Sequence, residues 1–201
     1  MIKKILILSL VSSCAFMDKE NFIVLKDTIT GYPQNIVTES LFAEKRFSFA
    51  EVSLGRGPSA ILSLTEIKDD IYRWKSIDNV SIYTYKGFII KTEGLEHDIS
   101  TNSKSLSLEE PLKLNINFLE PELYGIEVQL MKLKSEANIL EKGWLKTNTT
   151  LHHIARGISF LKWRKVDRFW VNTTTRMVDK SVQHIHPDLP PINMIFYYKY
   201  K

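Results

Sequence analysis

The chain has 201 residues with a single cysteine, and it carries 27 lysines and arginines against 23 aspartates and glutamates. One cysteine excludes an intramolecular disulfide framework. The formal charge of +4 becomes +2 (25 against 23) without the first 13 residues, which hold two lysines and no acid. This excess is too small to indicate a nucleic-acid-binding protein.

The first residues have the pattern of an export signal. Two lysines precede an apolar stretch from Ile5 to Val11, and the small residues Ser12 and Ser13 follow at the expected cleavage site. The apolar run is too short to cross a bilayer, which needs about 20 such residues. An ordinary secretory signal or a buried first strand is the alternative. The sequence "LVSSC" resembles the lipobox of bacterial lipoproteins, which implies a signal peptide over 1–13 and attachment of acyl chains, such as palmitate, to Cys14.

Residues 14–201 form the expected mature chain. They contain no linker rich in proline or glycine, which predicts a single domain behind a lipid tether. In "KENFIVLKDTI", Phe22, Leu25 and Ile29 have helical spacing, and a glycine and a proline follow. This pattern predicts one short N-terminal helix.

From Phe47 onward the pattern changes to alternating strands and turns. A hairpin is predicted to turn at Gly55–Pro58, and a tight connection at Lys86 and Gly87. The polar segment "EHDISTNSKSLSLEEP" is predicted to be a loop. Further strands are predicted at 71–75, 80–85, 88–92, 124–133, 137–145, 151–162, 168–171, 176–185 and 192–198. Ten or eleven strands indicate a mainly β fold, an antiparallel meander in a curled sheet or partly closed barrel.

The sequence offers little catalytic or metal-binding chemistry. His184 and His186 would face one side of a strand, as a metal site requires, but no carboxylate or cysteine cluster accompanies them. The adjacent His152 and His153 cannot share a face. Carboxylates that could serve glycoside hydrolysis lie in predicted loops, at Glu109, Glu110, Glu120 and Glu122. No serine elbow or phosphate loop occurs, so we expect no catalytic residue, no metal and no cofactor.

The segment "KWRKVDR", residues 162–168, is the one local concentration of basic residues. Its alternation suits the solvated face of a strand, which is the default for such charges. It also suits contact with phosphate or an acidic sugar.

Several stretches in order resemble the YjbF and GfcB family of outer-membrane lipoproteins, which are tied to capsule and exopolysaccharide production. They are "VSLGRGPSAILSL", "YRWKSIDNVSIYTYKGFIIKTEGL", "YGIEVQL" and "DRFWVNTTTRMVDKSVQHIHPDLPPINM", together with the lipobox. The matching residues are Gly55, Arg56, Gly57, Pro58, Trp74, Gly87, Gly94, Trp170 and Pro190. Most have the character of turn and core positions, which leaves Arg56, on a predicted hairpin tip, and Trp170 as candidate binding residues.

The resemblance implies a mostly β lipoprotein facing the periplasm, with no known catalytic activity. It implies as partners an outer-membrane β-barrel export protein and a further periplasmic protein, with polysaccharide as a candidate ligand. Ala15 after Cys14 implies the outer membrane, because aspartate at this position retains lipoproteins at the inner membrane in the best-known system. An accessory or structural role in polysaccharide export is the leading hypothesis. The alternatives are a polysaccharide-modifying enzyme using carboxylates in a β cleft, and a carrier of an apolar or lipid ligand.

Overall fold

The structure, a computed structural model, describes residues 36–101, 106–108, 112–119 and 122–199. The predicted signal peptide, Cys14 and the predicted helix around residues 22–29 lie outside the described residues. A helix that the sequence analysis did not assign, α1, spans Glu39–Glu44. It begins where the Thr38 hydroxyl accepts a hydrogen bond from Leu41 N at 3.2 Å, an N-cap that satisfies a free donor of the first turn.

Strands account for most of the remaining described residues. In chain order they are β1 (Phe49–Leu54), β2 (Ala60–Lys68), β3 (Ile71–Lys75), β4 (Ser81–Tyr85), β5 (Phe88–Glu93), β6 (Ile99–Thr101), β7 (Leu112–Leu119), β8 (Glu122–Lys142), β9 (Leu145–Ile158), β10 (Trp163–Asn172), β11 (Val178–Gln183) and β12 (Ile192–Tyr197). The mainly β class with a short helix is therefore confirmed, and the strand count in the described residues is twelve.

Each strand pairs antiparallel with the next along the chain, and β1 also pairs with β12, so the sheet closes into a barrel. The pairs Phe49–Tyr197 and Leu54–Ile192 mark the two ends of this closing ladder. Closure removes both sheet edges, whose unpaired backbone groups would otherwise be open to other chains. Because consecutive strands run in opposite directions, the connections between them lie alternately at the two ends of the barrel. We call these two ends the rims.

The rims are defined by the connections that form them. The front rim contains residues 69–70, 86–87 and 173–177, and the back rim contains 55–59, 76–80 and 184–191. The predicted turns at Gly55–Pro58 and Lys86–Gly87 both lie in these connections. Gly87 has φ +85°, a conformation that glycine adopts without the steric cost of a Cβ atom.

Apolar side chains fill the barrel interior. The cluster includes Trp74, Ile82, Phe169 and Phe196, which are at most 1% exposed, and Leu106 packs with them. Phe88 and Phe169 lie with ring centroids 4.6 Å apart. Because each fully buried side chain of this size contributes about 1.5–3 kcal/mol, this interior is the main source of stability. It is a packed core and not an open channel.

The hairpin formed by β8 and β9 extends beyond the barrel. Residues 131–142 of β8 pass the last partner in β7, and 145–148 of β9 pass the last partner in β10. We call these residues, with the turn between them, the arm. Trp144 at its tip contacts Phe42 of α1 with ring centroids 5.4 Å apart. The arm and α1 thereby flank a second apolar cluster outside the barrel, which contains Phe49, Ile195 and Tyr197.

Three details differ from the sequence analysis. The predicted loop after residue 95 contains β6, and β7 was not assigned, although Leu114, Ile116 and Phe118 alternate with polar residues. The two strands predicted at 124–133 and 137–145 are one strand, β8, with an irregularity between Lys132 and Lys134. A bulge can absorb a break in alternation without ending a strand. Within the described residues, no helix is long and apolar enough to cross a membrane.

Candidate functional site

The outer face of β10 carries a row of basic and apolar side chains. Asp167 and Phe169 are fully buried, so the residues that alternate with them face outward. We call this row the β10 strip; it consists of Arg164, Val166, Arg168 and Trp170. Residues 163–168 of the segment "KWRKVDR" therefore lie on β10, as the alternation indicated, with Arg164 and Arg168 on the outer face. The predicted bounds were wrong here, because Lys162 lies in a turn and residues 163–167, predicted to lie between two strands, belong to β10.

Trp170 lies between two cations. In the ladder between β10 and β11, Trp170 is directly opposite Lys180, which brings Lys180 Nζ to 5.2 Å from the indole centroid. Arg168, two residues earlier on the same face, has its guanidinium carbon 5.7 Å from that centroid. Each such contact contributes about 0.5–1 kcal/mol at an exposed site. The half-buried indole thus holds two positive groups on one patch.

The charges of this patch are incompletely compensated. Burial and the neighbouring Arg168 guanidinium lower the pKa of Lys180, while the Glu51 carboxylate acts in the opposite direction. Among the described residues, the cationic groups of Arg168 and Lys180 form no hydrogen bond or ion pair. The patch therefore has N–H donors and positive charge to offer an anion.

A bulge in β11 inserts an acid, Asp179, next to Lys180 in the strand. The register shifts between Trp170 and Val171, so Asp179 is an extra residue beside Lys180. The Asp179 carboxylate lies 3.2 Å from Lys142 Nζ of the arm, and both side chains are at most 6% exposed. The Asp179 charge is thus paired with the arm.

A buried ion pair lies on the inner face of the same strands. Arg156 Nε donates to Asp167 Oδ2 at 2.6 Å, and both side chains are at most 2% exposed. The other Asp167 oxygen accepts a hydrogen bond from His184 N at 2.8 Å. Both oxygens of the Asp167 carboxylate therefore accept hydrogen bonds, one from Arg156 and one from the His184 backbone. This arrangement indicates a structural role and not proton transfer.

The predicted histidine geometry is wrong in one respect. His184 and His186 lie after the end of β11 and do not share a strand face. His184 contacts Asp167, whereas the buried His186 stacks on His97 with ring centroids 4.7 Å apart. His97, His186 and Asp188 place potential ligand atoms within 4.8 Å of one another, so they could hold a metal ion. Burial lowers the pKa of His186, as does its neighbour His97, while Asp188 opposes them.

The adjacent His152 and His153 point to opposite sides, as predicted. His152 is buried and its Nδ1 lies 3.1 Å from the Ser135 hydroxyl. His153 Nε2 lies 3.2 Å from Glu136 Oε1 on the outer face.

The structure does not bring the two candidate binding residues together. Arg56 is exposed in the β1–β2 connection of the back rim, where the backbone is fixed by Gly55 N donating to Pro191 O at 2.8 Å. Trp170 lies towards the front-rim end of β10. Lys180, which completes the Trp170 patch, was missed because only strand register places it there.

Cavities are found at both rims. At the front rim, Tyr72, Lys86, Arg176 and Tyr198 are among the residues around a cavity of about 430 Å³. At the back rim, a cavity of about 250 Å³ is bordered mainly by apolar residues, including Leu54 and Leu95. Of these two cavities, the first lies in the size range of ordinary small-molecule sites and the second lies below it.

Comparisons with known proteins give the following similarities. The model of a family described as group 4 capsule polysaccharide lipoprotein GfcB, YjbF matches residues 25–196. The crystal structure of the hypothetical lipoprotein YmcC from Escherichia coli K12 is similar with a TM-score of 0.71 and 14% identity, over 92% of this chain and 98% of that chain. At this identity it supports the fold alone. A lipoprotein structure from Parabacteroides distasonis gives a TM-score of 0.35 and 6% identity, over 76% and 94% of the two chains. No curated protein matches the chain.

Proposed function

Because the chain belongs to the YjbF family of group 4 capsule polysaccharide lipoproteins, we propose that it is a non-catalytic accessory protein of capsule or exopolysaccharide export. In this role it is anchored to the outer membrane through acylated Cys14, faces the periplasm, and acts by binding. The binding partners are an outer-membrane β-barrel export protein, a periplasmic protein and the passing glycan. The family match over residues 25–196 is the observation that carries the proposal.

The packed barrel supports a binding role over the enzyme alternative. Glycoside hydrolysis needs two carboxylates across one bond in an accessible cleft. Three carboxylates are buried in the described residues: Asp167 and Asp179 are bound by Arg156 and Lys142, and Glu51 accepts a hydrogen bond from Ile36 N. Asp167 and Asp179 each already contact a buried cation, so neither faces an open cleft that could hold a glycosidic bond.

Deletion of the gene tests the proposed role in export. We expect the deletion to reduce surface polysaccharide and full-length protein to restore it. Pull-down with the lipidated protein should recover an outer-membrane barrel protein. Unchanged surface polysaccharide together with no co-purifying envelope protein would contradict the proposal.

Cys14→Ala tests the anchor separately. Stable anchoring takes two acyl chains or an equivalent second signal, so the variant should leave the outer-membrane fraction. Mass analysis of the native amino terminus should show acyl chains on Cys14. An unmodified cysteine would refute the anchor and the localisation, but not the role of the barrel.

A further inference from the structure

We propose that the β10 strip and Lys180 bind a segment of acidic polysaccharide, in which carboxylate-bearing sugars contact the two cations beside Trp170. This inference rests on the proposed function and names its ligand class. The inference is based on Arg168 and Lys180. Both charged groups lie within 6 Å of the Trp170 ring centroid. In the described part of the chain, neither group has a hydrogen-bonding or ion-pairing partner.

A carboxylate is the ligand chemistry that these cations favour. Arginine presents planar N–H donors that match a carboxylate in a two-bond geometry. Lys180 is partly desolvated, which disfavours its charged form until an anion approaches. An acidic sugar supplies an anion to both cations, whereas a neutral sugar leaves Arg168 without one and Lys180 with Glu51 alone.

The acids around the strip supply only part of this negative charge, through the attraction between Glu51 and Lys180. Asp179 is bound to Lys142, and Glu136 on β8 is bound to Lys134 at 3.0 Å and to His153 at 3.2 Å. Glu51 attracts Lys180 but is itself buried, and its Oε1 accepts a hydrogen bond from a backbone N–H. The surface above Arg168 and Trp170 therefore remains positive.

The shape of the strip suits an extended glycan. Its residues lie in one row along one strand, and the six steps from Arg164 to Trp170 span about 20 Å at roughly 3.3 Å per residue. Val166 is 39% exposed and lies in the same row as the indole. Aromatic and aliphatic surface of this kind can pack against the C–H faces of sugar rings, while the arginines contact carboxylates. The row matches a linear polymer better than a compact small molecule.

The test measures binding of the full-length lipidated protein in non-ionic detergent by calorimetry. The probes are an oligogalacturonate, a neutral maltooligosaccharide of the same length, and inorganic phosphate. We expect binding of the oligogalacturonate only, weakening as salt is raised. Arg168→Gln should weaken binding roughly tenfold, which corresponds to losing one hydrogen bond to a charged group. Trp170→Leu should weaken it also. Lys68→Gln is the control, because it removes an exposed cation of β2, outside the strip, and it should leave binding unchanged.

Several results would overturn the inference. They are no binding of the oligogalacturonate, equal binding of the maltooligosaccharide, an unchanged affinity in Arg168→Gln, or binding of inorganic phosphate alone. Thermal unfolding of each variant shows whether the fold is retained. In the deletion strain, normal surface polysaccharide with Arg168→Gln/Trp170→Leu would refute only this inference. An absence of any deletion phenotype would instead refute the proposed function.

Discussion

Lys142→Met tests whether the arm is held to the barrel by a buried charge. Lys142 Nζ lies 3.2 Å from Asp179 Oδ1 and donates to Phe196 O at 3.1 Å, and the side chains of the ion pair are only 4% and 6% exposed. Methionine keeps the apolar stem but removes the charge. The Asp179 carboxylate then stays buried with the Asn172 amide at 3.0 Å as its remaining side-chain donor. Removal of one partner from a buried pair costs about 3–5 kcal/mol.

Urea unfolding followed by tryptophan fluorescence measures this cost, because Trp144 of the arm reports contact with Phe42. With an m-value of about 2 kcal/mol per molar, the midpoint should fall by roughly 2 M. Lys146→Met is the matched control. It breaks an ion pair with Glu141 in the same arm, where the side chains are 69% and 63% exposed, and its midpoint should not change measurably.

A second substitution separates charge from packing. Lys142→Met combined with Asp179→Leu removes both charges, so much of the lost stability should return, since apolar replacement of a whole buried pair is often neutral or stabilising. The reasoning is refuted if Lys142→Met lowers the midpoint no more than Lys146→Met does. It is also refuted if the double variant is no more stable than the single one.

Three further predictions concern the barrel itself. Gly87→Ala should lower the melting temperature by several degrees, because φ is +85° and a Cβ atom would collide with Val178, and no change in calorimetry would contradict this. His186 should make unfolding depend on pH: its pKa is lower in the folded state than its unfolded value near 6.5, so the unfolded chain binds more protons and stability falls as pH drops below about 6.5. His186→Phe should flatten this dependence in urea titrations at pH 7 and pH 5, whereas an unchanged dependence would refute the role of His186. Trp74→Phe should cost about 2 kcal/mol or more in urea unfolding, because it empties buried volume and removes an indole N–H that donates at 2.9 Å to a buried threonine; a loss under 0.5 kcal/mol would contradict the packing.

The sequence determined the strands and turns where the local pattern is complete. Alternation and a two-residue turn located the hairpin around Lys86 and Gly87, and the structure places β4 and β5 on either side of it. These elements depend on side-chain periodicity and backbone preference within a few residues. β7, which was not predicted, has the same alternation, so the same reasoning could have predicted this strand.

The tertiary structure alone decided closure, the arm and the composition of the candidate site. Pairing of Phe49 with Tyr197 joins residues 148 positions apart, and no local pattern specifies it. Trp170 could be named from the sequence, but its neighbour Lys180 depends on the register of β10 and β11, and the neutralisation of Asp179 depends on an arm that arrives from β8 and β9. Local side-chain periodicity determines which residues form strands. The pairing of buried charges such as Lys142 and Asp179 joins segments that are distant in the sequence, so it forms only when the barrel is folded.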